Sequence, residues 1–178
     1  MDLEQSVEIR DAEVSDAESI AEIYNREILQ SHSNYESVPQ TVAQRSEWIE
    51  RLKNQNYPVL VAVHNGIVQG CAALTPFHPV SGYRHTATGS IYLREDARGK
   101  GLGKQLIQKL LELAGKRKIH TIIAGVNSEN SRSIALMKKM GFQQVGHFKE
   151  IGFKNGKWHD DVCLQLILRD SSEIKSNL

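Results

Sequence analysis

Apolar residues recur at two different periods along this chain, and each change of period marks a new element. The run around Ile9 in SVEIRDAE alternates and predicts a short first strand. Ile20, Ile23, Tyr24 and Ile28 then fall three or four apart, which predicts an amphipathic helix. Ser15 and Glu18 have the spacing of a capping box at its start. QSHSNYESVPQ is polar, holds a proline and predicts a loop. Thr41 with Gln44 predicts the cap of a second helix, whose inner face carries Trp48, Ile49 and Leu52. Two β-rich runs flank Asn65-Gly66, a pair that readily takes positive φ angles, so a tight hairpin is expected. After a second loop, HPVSGYRH, the run TATGSIYL predicts a strand with Ile91 and Leu93 on one face and Tyr92 on the other. Leu102, Leu106, Leu110 and Leu113 mark a third helix. HTIIAGVN predicts a strand, and SRSIALMKKM a short helix that Gly141 ends. A closing hairpin turns at Asn155-Gly156.

The order β-α-α-β-β-β-α-β-α-β-β is an α/β (α+β) mixture, with an antiparallel first part and a βαβ unit in the middle. The sequence has no repeat, linker or low-complexity segment. One domain is expected over residues 1–170, followed by a polar tail at 171–178. The loops that hold Tyr35 and His78 are longer than usual connections, and such loops carry function disproportionately.

Composition removes several classes. The chain has 178 residues, 40% of them hydrophobic, and a formal net charge of +1. No global charge draws it to nucleic acid or to a membrane surface. No apolar run reaches the ~20 residues of a bilayer-spanning helix. Cys71 and Cys163 lie in strand-like apolar runs and read as small buried hydrophobes in a reducing cytoplasm. Histidine and cysteine spacing suggests no metal site. His159-Asp160-Asp161 reads as a polar cluster at a strand edge. Lys116-Arg117-Lys118 reads as a complement to a helix C-terminus.

The densest chemistry lies in RGKGLGKQLI, between a strand ending near Leu93 and a helix starting near Leu102. A helix's first N–H groups have no internal partner, and the helix dipole adds partial positive charge there. Glycines let an anion approach them closely. Gly99, Gly101 and Gly103, with Arg98, Lys100 and Lys104, therefore suit a pyrophosphate cradle. Spacing alone fits a tight turn with solvated basic residues equally well. The P-loop pattern fails, because Arg98 stands at its first glycine and Gln105 at its hydroxyl. The dinucleotide fingerprint fails too, because Lys104 stands at its third glycine.

Arg98 to Gly103 fits R-x-x-G-x-G. NSENSRSIALMKKMGF fits a second pattern, with Asn130, Ser133, Leu136, Gly141 and Phe142 in register. These two segments, in this order, resemble the GNAT superfamily of acetyltransferases. VEIRDAEVSDAESIAEIYN, PVLVAV, SIYL and GFKNGKWHD further resemble its phosphinothricin and methionine sulfoximine N-acetyltransferases. The resemblance implies a mixed, mostly antiparallel twisted sheet of about seven strands flanked by about four helices. Two neighbouring strands would splay apart at the acetyl-CoA site. It implies direct acetyl transfer from acetyl-CoA, a co-substrate, to the α-amino group of a small amino-acid-like acceptor. Phosphinothricin, methionine sulfoximine and methionine sulfone are the acceptor types. It also implies a homodimer with active sites near the subunit interface.

The resemblance carries over to single residues. Backbone groups of Ile91, Tyr92 and Leu93 would pair with the pantetheine arm, and the Leu93 N–H would stabilise the oxyanion. Arg98, Gly99, Lys100, Gly101, Leu102, Gly103 and Lys104 would hold the diphosphate. Asn130 and Ser133 would be further coenzyme contacts, and Asn130 also suits a helix cap. Tyr35 would form an aromatic wall, and Arg84, His78 and Thr86 would contact the acceptor. The subgroup's general base is a glutamate, but Thr88 stands at that position, and its hydroxyl is no base near neutral pH. Glu36, His78 or His85 could replace it from a loop, with His85 on the less suitable face. A water relay past Thr88 and Ser90 is the other route. Met137 stands where many GNAT enzymes carry a tyrosine acid. Two further functions stay open: acetylation of a protein N-terminus, and a coenzyme A-binding regulatory role with little catalysis.

Overall fold

The computed structural model describes residues 7–168, so the tail expected at 171–178 lies outside the described residues. The elements run β1 (Val7–Asp11), α1 (Ala17–Gln30), α2 (Val42–Asn54), β2 (Val59–His64), β3 (Ile67–Pro76), β4 (Thr86–Leu93), α3 (Leu102–Lys116), β5 (Thr121–Asn127), α4 (Ser131–Lys139), β6 (Gln143–Lys154) and β7 (Lys157–Ile167). This is the order that the periodicity predicts.

Local chemistry sets the boundaries. The Gln44 N–H donates to Thr41 Oγ1 at 3.2 Å, and the Thr41 N–H donates back to Gln44 Oε1 at 2.8 Å, which closes the predicted capping box of α2. The start of α1 differs from expectation. A 3₁₀ turn at Val14–Asp16 precedes the helix, and the Asp16 carboxylate accepts the Glu13 N–H at 2.8 Å. Ser15 donates to Glu13 instead of pairing with Glu18, because it lies inside the turn that Glu13 caps. Both predicted hairpins form on left-handed pairs, with φ of 50° and 74° at Asn65-Gly66 and 53° and 73° at Asn155-Gly156.

The strands build one sheet in the order β1-β2-β3-β4-β5-β7-β6, and every neighbouring pair is antiparallel except β4–β5. On one face, Leu60, Leu74, Ile122 and Leu164 pack with Leu106 and Leu110 of α3. On the other, Val59, Val61, Cys71 and Ala73 pack with Ile20, Ile23, Ile49 and Leu52 of α1 and α2. Strands β2 and β3 are covered on both faces, which is why they read as near-continuous apolar runs. Arg45 is 1% exposed within this second layer. Its guanidinium lies 4.0 Å from the Tyr24 ring centre and 4.6 Å from that of Trp48, so two aromatic faces replace water around the charge.

The parallel contact is short. Thr86, Ala87 and Thr88 pair with Thr121, Ile122 and Ile123, and the two strands then part. Strand β4 stays paired to β3 as far as Leu93, and β5 stays paired to β7 as far as Asn127. The sheet is thus split in its middle while each half remains anchored on its outer side.

The Arg10 guanidinium, 2.7 and 2.9 Å from the Asp16 carboxylate oxygens, holds that carboxyl below its ordinary range, and the Glu13 N–H adds to the effect against the opposing burial. A carboxyl with a depressed proton affinity stabilises the fold above its unfolded pKa and loses that contribution as pH falls through the folded value. Asp16→Asn is therefore expected to lower unfolding free energy by about 1–2 kcal/mol near pH ~7, and by progressively less as pH falls below the ordinary carboxylate range. Urea titrations of both proteins across that range check this; a difference independent of pH would contradict it.

Candidate active site

The gap between β4 and β5 opens into a cavity of about 780 Å³. Strand alternation decides which backbone groups face it. The Arg94 N–H donates to Gln69 O at 2.8 Å and the Phe77 N–H to Thr86 O at 3.4 Å, so the even-numbered residues of β4 turn their backbone groups to β3. Gly89, Ile91 and Leu93 turn theirs to the gap. Across it, the Ser128 N–H donates to Asp160 O at 2.8 Å, which leaves Gly125 and Asn127 facing inward from β5. An extended chain that carries amides fits between these edges as an added strand. Tyr92 also lines the cavity, but its backbone is turned to β3. Its ring packs edge-on against Tyr24, with centres 4.9 Å apart, and burial pushes its phenol well above the ordinary range.

Beyond Leu93 the chain turns into α3. Gly99 and Gly101 have φ of 78° and 83°, left-handed values that a side chain disfavours. Gly103 serves a different purpose: a Cβ there would stand 3.1 Å from Leu136 Cδ2, so glycine lets α3 approach α4. The first helical bond runs from the Gln105 N–H to Gly101 O at 3.2 Å, which leaves the N–H groups of Leu102, Gly103 and Lys104 without intrahelical acceptors. With the helix dipole these make an anion cradle. Gly99, Gly101, Gly103 and Lys104 line the cavity. Lys100 is exposed and outside the lining, and the Leu102 side chain is buried in the core, so neither side chain reaches the cradle. Arg98 lines the cavity, but its guanidinium pairs with the Glu27 carboxylate of α1 and lies 3.5 Å from Leu93 O. Arg132 is a further lining cation that the sequence did not single out.

Asn130 and Ser133 both line the cavity. Asn130 Oδ1 accepts the Ser133 N–H at 3.1 Å, so the helix cap suggested by spacing is formed, and its Nδ2 donates to Ser33 Oγ at 3.2 Å. The loop between α1 and α2 is tied across this end of the cavity. Asn127 Nδ2 donates to His32 O at 3.3 Å and to Tyr35 Oη at 3.2 Å. Tyr35 Oη donates to Asp161 Oδ1 at 2.6 Å, and Lys154 Nζ donates to Asn34 O. Burial first, and Asp161 second, push the Tyr35 phenol up to about 12, so it keeps its proton at neutral pH. A Cβ on Gly152 would stand 2.4 Å from Tyr35 Cζ, so the ring needs glycine beneath it. The His159-Asp160-Asp161 segment is used structurally. His159 stacks on His32, Asp161 holds Tyr35, and Asp160 accepts the Glu150 N–H at 2.8 Å and lies 2.9 Å from His147 Nε2. No metal-binding group occurs among the described residues.

Several residues expected on the acceptor side lie outside the cavity lining. Thr86 and Thr88 belong to the stretch of β4 still paired with β5, before the gap begins. His78 and Arg84 fold back over the end of α2 and line a second cavity of about 620 Å³ with Arg51 and Tyr57. Glu36 is exposed, with its N–H tied to Asn34 Oδ1 at 2.8 Å. His85 Nδ1 lies 2.9 Å from Lys118 O. Glu27, His32 and Asn127 do line the cavity and were missed. Glu27 left a signal, a carboxylate on the same stripe as Ile20, Ile23 and Ile28.

Residues 9–163 match the family model described as acetyltransferase (GNAT) domain. An L-methionine sulfoximine/L-methionine sulfone acetyltransferase of Pseudomonas aeruginosa is 38% identical over 164 residues, 92% of this chain and 95% of that protein. A phosphinothricin acetyltransferase of Sinorhizobium meliloti, solved in complex with AcCoA, aligns with a TM-score of 0.89 at 34% identity, covering 92% of this chain and 89% of its own. A ribosomal-protein-alanine N-acetyltransferase of Brucella melitensis aligns with a TM-score of 0.89 at 37% identity, covering 90% and 99%. Likeness of this extent agrees with the parted strands and the glycine-turned helix start, and the chain belongs to the GNAT acetyltransferase family.

Proposed function

We propose that the protein moves the acetyl group of acetyl-CoA directly onto the α-amino group of a small amino acid of the methionine sulfoximine, methionine sulfone or phosphinothricin type. One observation carries this reading: inward-facing amides of Ile91 and Leu93 lead straight to the bare N–H groups at the start of α3. The pantetheine arm lies along β4 as an extra strand, and its diphosphate rests on Gly99–Lys104 beside the Asn130 cap. The Leu93 N–H then meets the thioester carbonyl and stabilises the oxyanion as the amine attacks, a preorganised donor of the kind that removing costs about 2.7–4 kcal/mol. Holding amine and thioester in contact supplies the orientation effect. The named relatives support the acceptor class.

The reading includes a homodimer. Phe148, Ile151, Phe153 and Trp158 of the β6–β7 hairpin are 50–56% exposed, an apolar surface that suits a second copy. It also includes residence in a reducing compartment, the cytoplasm, which agrees with two free thiols. The Brucella relative favours one alternative, acetylation of a protein N-terminus.

Release of free thiol from acetyl-CoA separates these readings. Turnover is expected with methionine sulfone, methionine sulfoximine or phosphinothricin, and little with a peptide beginning in alanine. Peptide-only turnover would transfer the case to the protein substrate, and coenzyme binding without any turnover would contradict catalysis. Gly101→Asp forces a side chain into left-handed backbone and puts a carboxylate at the cradle; calorimetry is expected to show acetyl-CoA binding weakened about tenfold or more. Wild-type affinity in that variant would contradict the diphosphate seat. Sedimentation is expected to give twice the 20.0 kDa chain mass, falling towards one copy in Phe153→Lys with Trp158→Lys. A wild-type monomer would remove the dimer from the reading.

A further inference from the structure

Acetyl transfer from a thioester needs a group that takes a proton from the incoming ammonium ion. Few groups at the cavity can do so. The Glu27 and Glu129 carboxylates line it, but they are paired with Arg98 and Lys157. Arg98, Lys104 and Arg132 are cations, and burial keeps the Tyr92 phenol protonated. Among the described residues, His32 is the one histidine that lines the cavity. No hydrogen bond engages either of its ring nitrogens among the described residues, and the side chain is exposed to solvent.

This ring is held in place. Its backbone carbonyl accepts from Asn127 Nδ2 at 3.3 Å, and the next residue, Ser33, accepts from Asn130 Nδ2 at 3.2 Å. Both asparagines line the cavity from the end of β5 and the start of α4. The imidazole plane is set by His159 of β7, stacked with ring centres 4.6 Å apart and planes 29° apart. His159 is 3% exposed, and its Nε2 is buried with no hydrogen-bond partner among the described residues. A buried polar nitrogen without a partner calls for a reason, and the stack on His32 is the contact this ring makes towards the cavity. The charged and titratable groups around the pair are Glu129 of the β5–α4 loop, which interacts electrostatically with both histidines, Tyr35 with its partner Asp161, and Glu27 at the end of α1.

We propose that His32 is the proton acceptor of the transfer and that His159 is a positioning residue that fixes its ring. The inference rests on the acetyltransferase reading above. An imidazole nitrogen of His32 takes one proton from the acceptor ammonium, leaving a neutral amine. The amine lone pair attacks the thioester carbonyl carbon; the C–N bond forms and the carbonyl π pair moves to oxygen beside the Leu93 N–H. Collapse breaks the C–S bond, the thiolate leaves, and the second nitrogen proton goes to it. The amide and the free thiol are the products, and the imidazolium returns its proton to water across its exposed edge. The Glu129 carboxylate faces the imidazolium while it carries charge.

The test is thiol release at saturating acetyl-CoA with methionine sulfone, as a function of pH, for wild type, His32→Gln, His159→Ala and His159→Phe. Wild-type kcat/KM is expected to rise with pH, as it does when a base must be unprotonated to act. His32→Gln is expected to lose about 10²–10⁴-fold in kcat and to lose that rise, with acetyl-CoA affinity by calorimetry unchanged. In a further variant, His32→Ala, added imidazole is expected to restore part of the activity. His159→Ala is expected to lower kcat with little change in KM, and His159→Phe, which keeps a flat ring for stacking, to recover most of it. His32→Gln with near-wild-type kcat and an unaltered pH profile would overturn the inference while leaving acetyl transfer intact. A wild-type protein that binds acetyl-CoA and acetylates no amine would overturn both. Loss of acetyl-CoA binding in His32→Gln would overturn the assignment in favour of a structural role.

Discussion

A parallel strand pair that closes for only three residues, Thr86–Thr88 against Thr121–Ile123, is the constraint on which this molecule's chemistry depends. Buried backbone N–H and C=O groups left without partners cost about 1–3 kcal/mol each. Strands therefore part only where something else can satisfy the edges. Here β3 and β7 keep the outer edges fully paired, so the inner edges are held open by a rigid frame. That frame turns Ile91 and Leu93 inward at fixed spacing. On the function proposed above, a ligand with its own amides would complete the sheet, and its reactive carbonyl would arrive at a donor that has not had to move.

The other parts of the site are attached to that opening. The left-handed Gly99 and Gly101 turn the chain from the end of β4 into α3, so the helix N-terminus sits at the mouth of the gap. Glu27 of α1 reaches Arg98 there and ties the opposite helical layer to the same edge. Asn127, Asn130, Asp161 and Lys154 fasten the α1–α2 loop over the other end. On the proposed reading, the coenzyme side is built on strands and helix ends, and the acceptor side on a loop held by side-chain hydrogen bonds. Rigid elements suit a ligand shared across a family, and a tethered loop suits an acceptor that differs among its members.

The sequence shows the first kind of information far better than the second. The periods of Ile20, Ile23 and Ile28, of Leu102, Leu106 and Leu110, and the two Asn-Gly pairs are local signals, and each element they predict is present. The Arg98–Gly103 spacing and the Asn130 cap are local too, and both stand where expected. The partner of Arg98 is not local: Glu27 lies 71 residues away, and only the packing of α1 brings it there. The same limit explains the acceptor side. Two long loops were legible as loops, but periodicity does not say which one reaches the gap. His78 and Arg84 fold towards α2, whereas His32 is drawn to the end of β5 by Asn127. Thr88 could be placed on its strand, but the residue at which β4 leaves β5 depends on pairing that no local pattern encodes.

Hydrogen exchange at single amides reads the gap itself. Without coenzyme, the N–H groups of Ile91 and Leu93 should exchange much faster than those of Ser90 and Tyr92, which point to β3. Saturating acetyl-CoA should slow Ile91 and Leu93 and leave Ser90 and Tyr92 as they were. Exchange at Ile91 and Leu93 that is already slow without coenzyme, or unaltered with it bound, would show that the ligand does not complete the sheet at this edge.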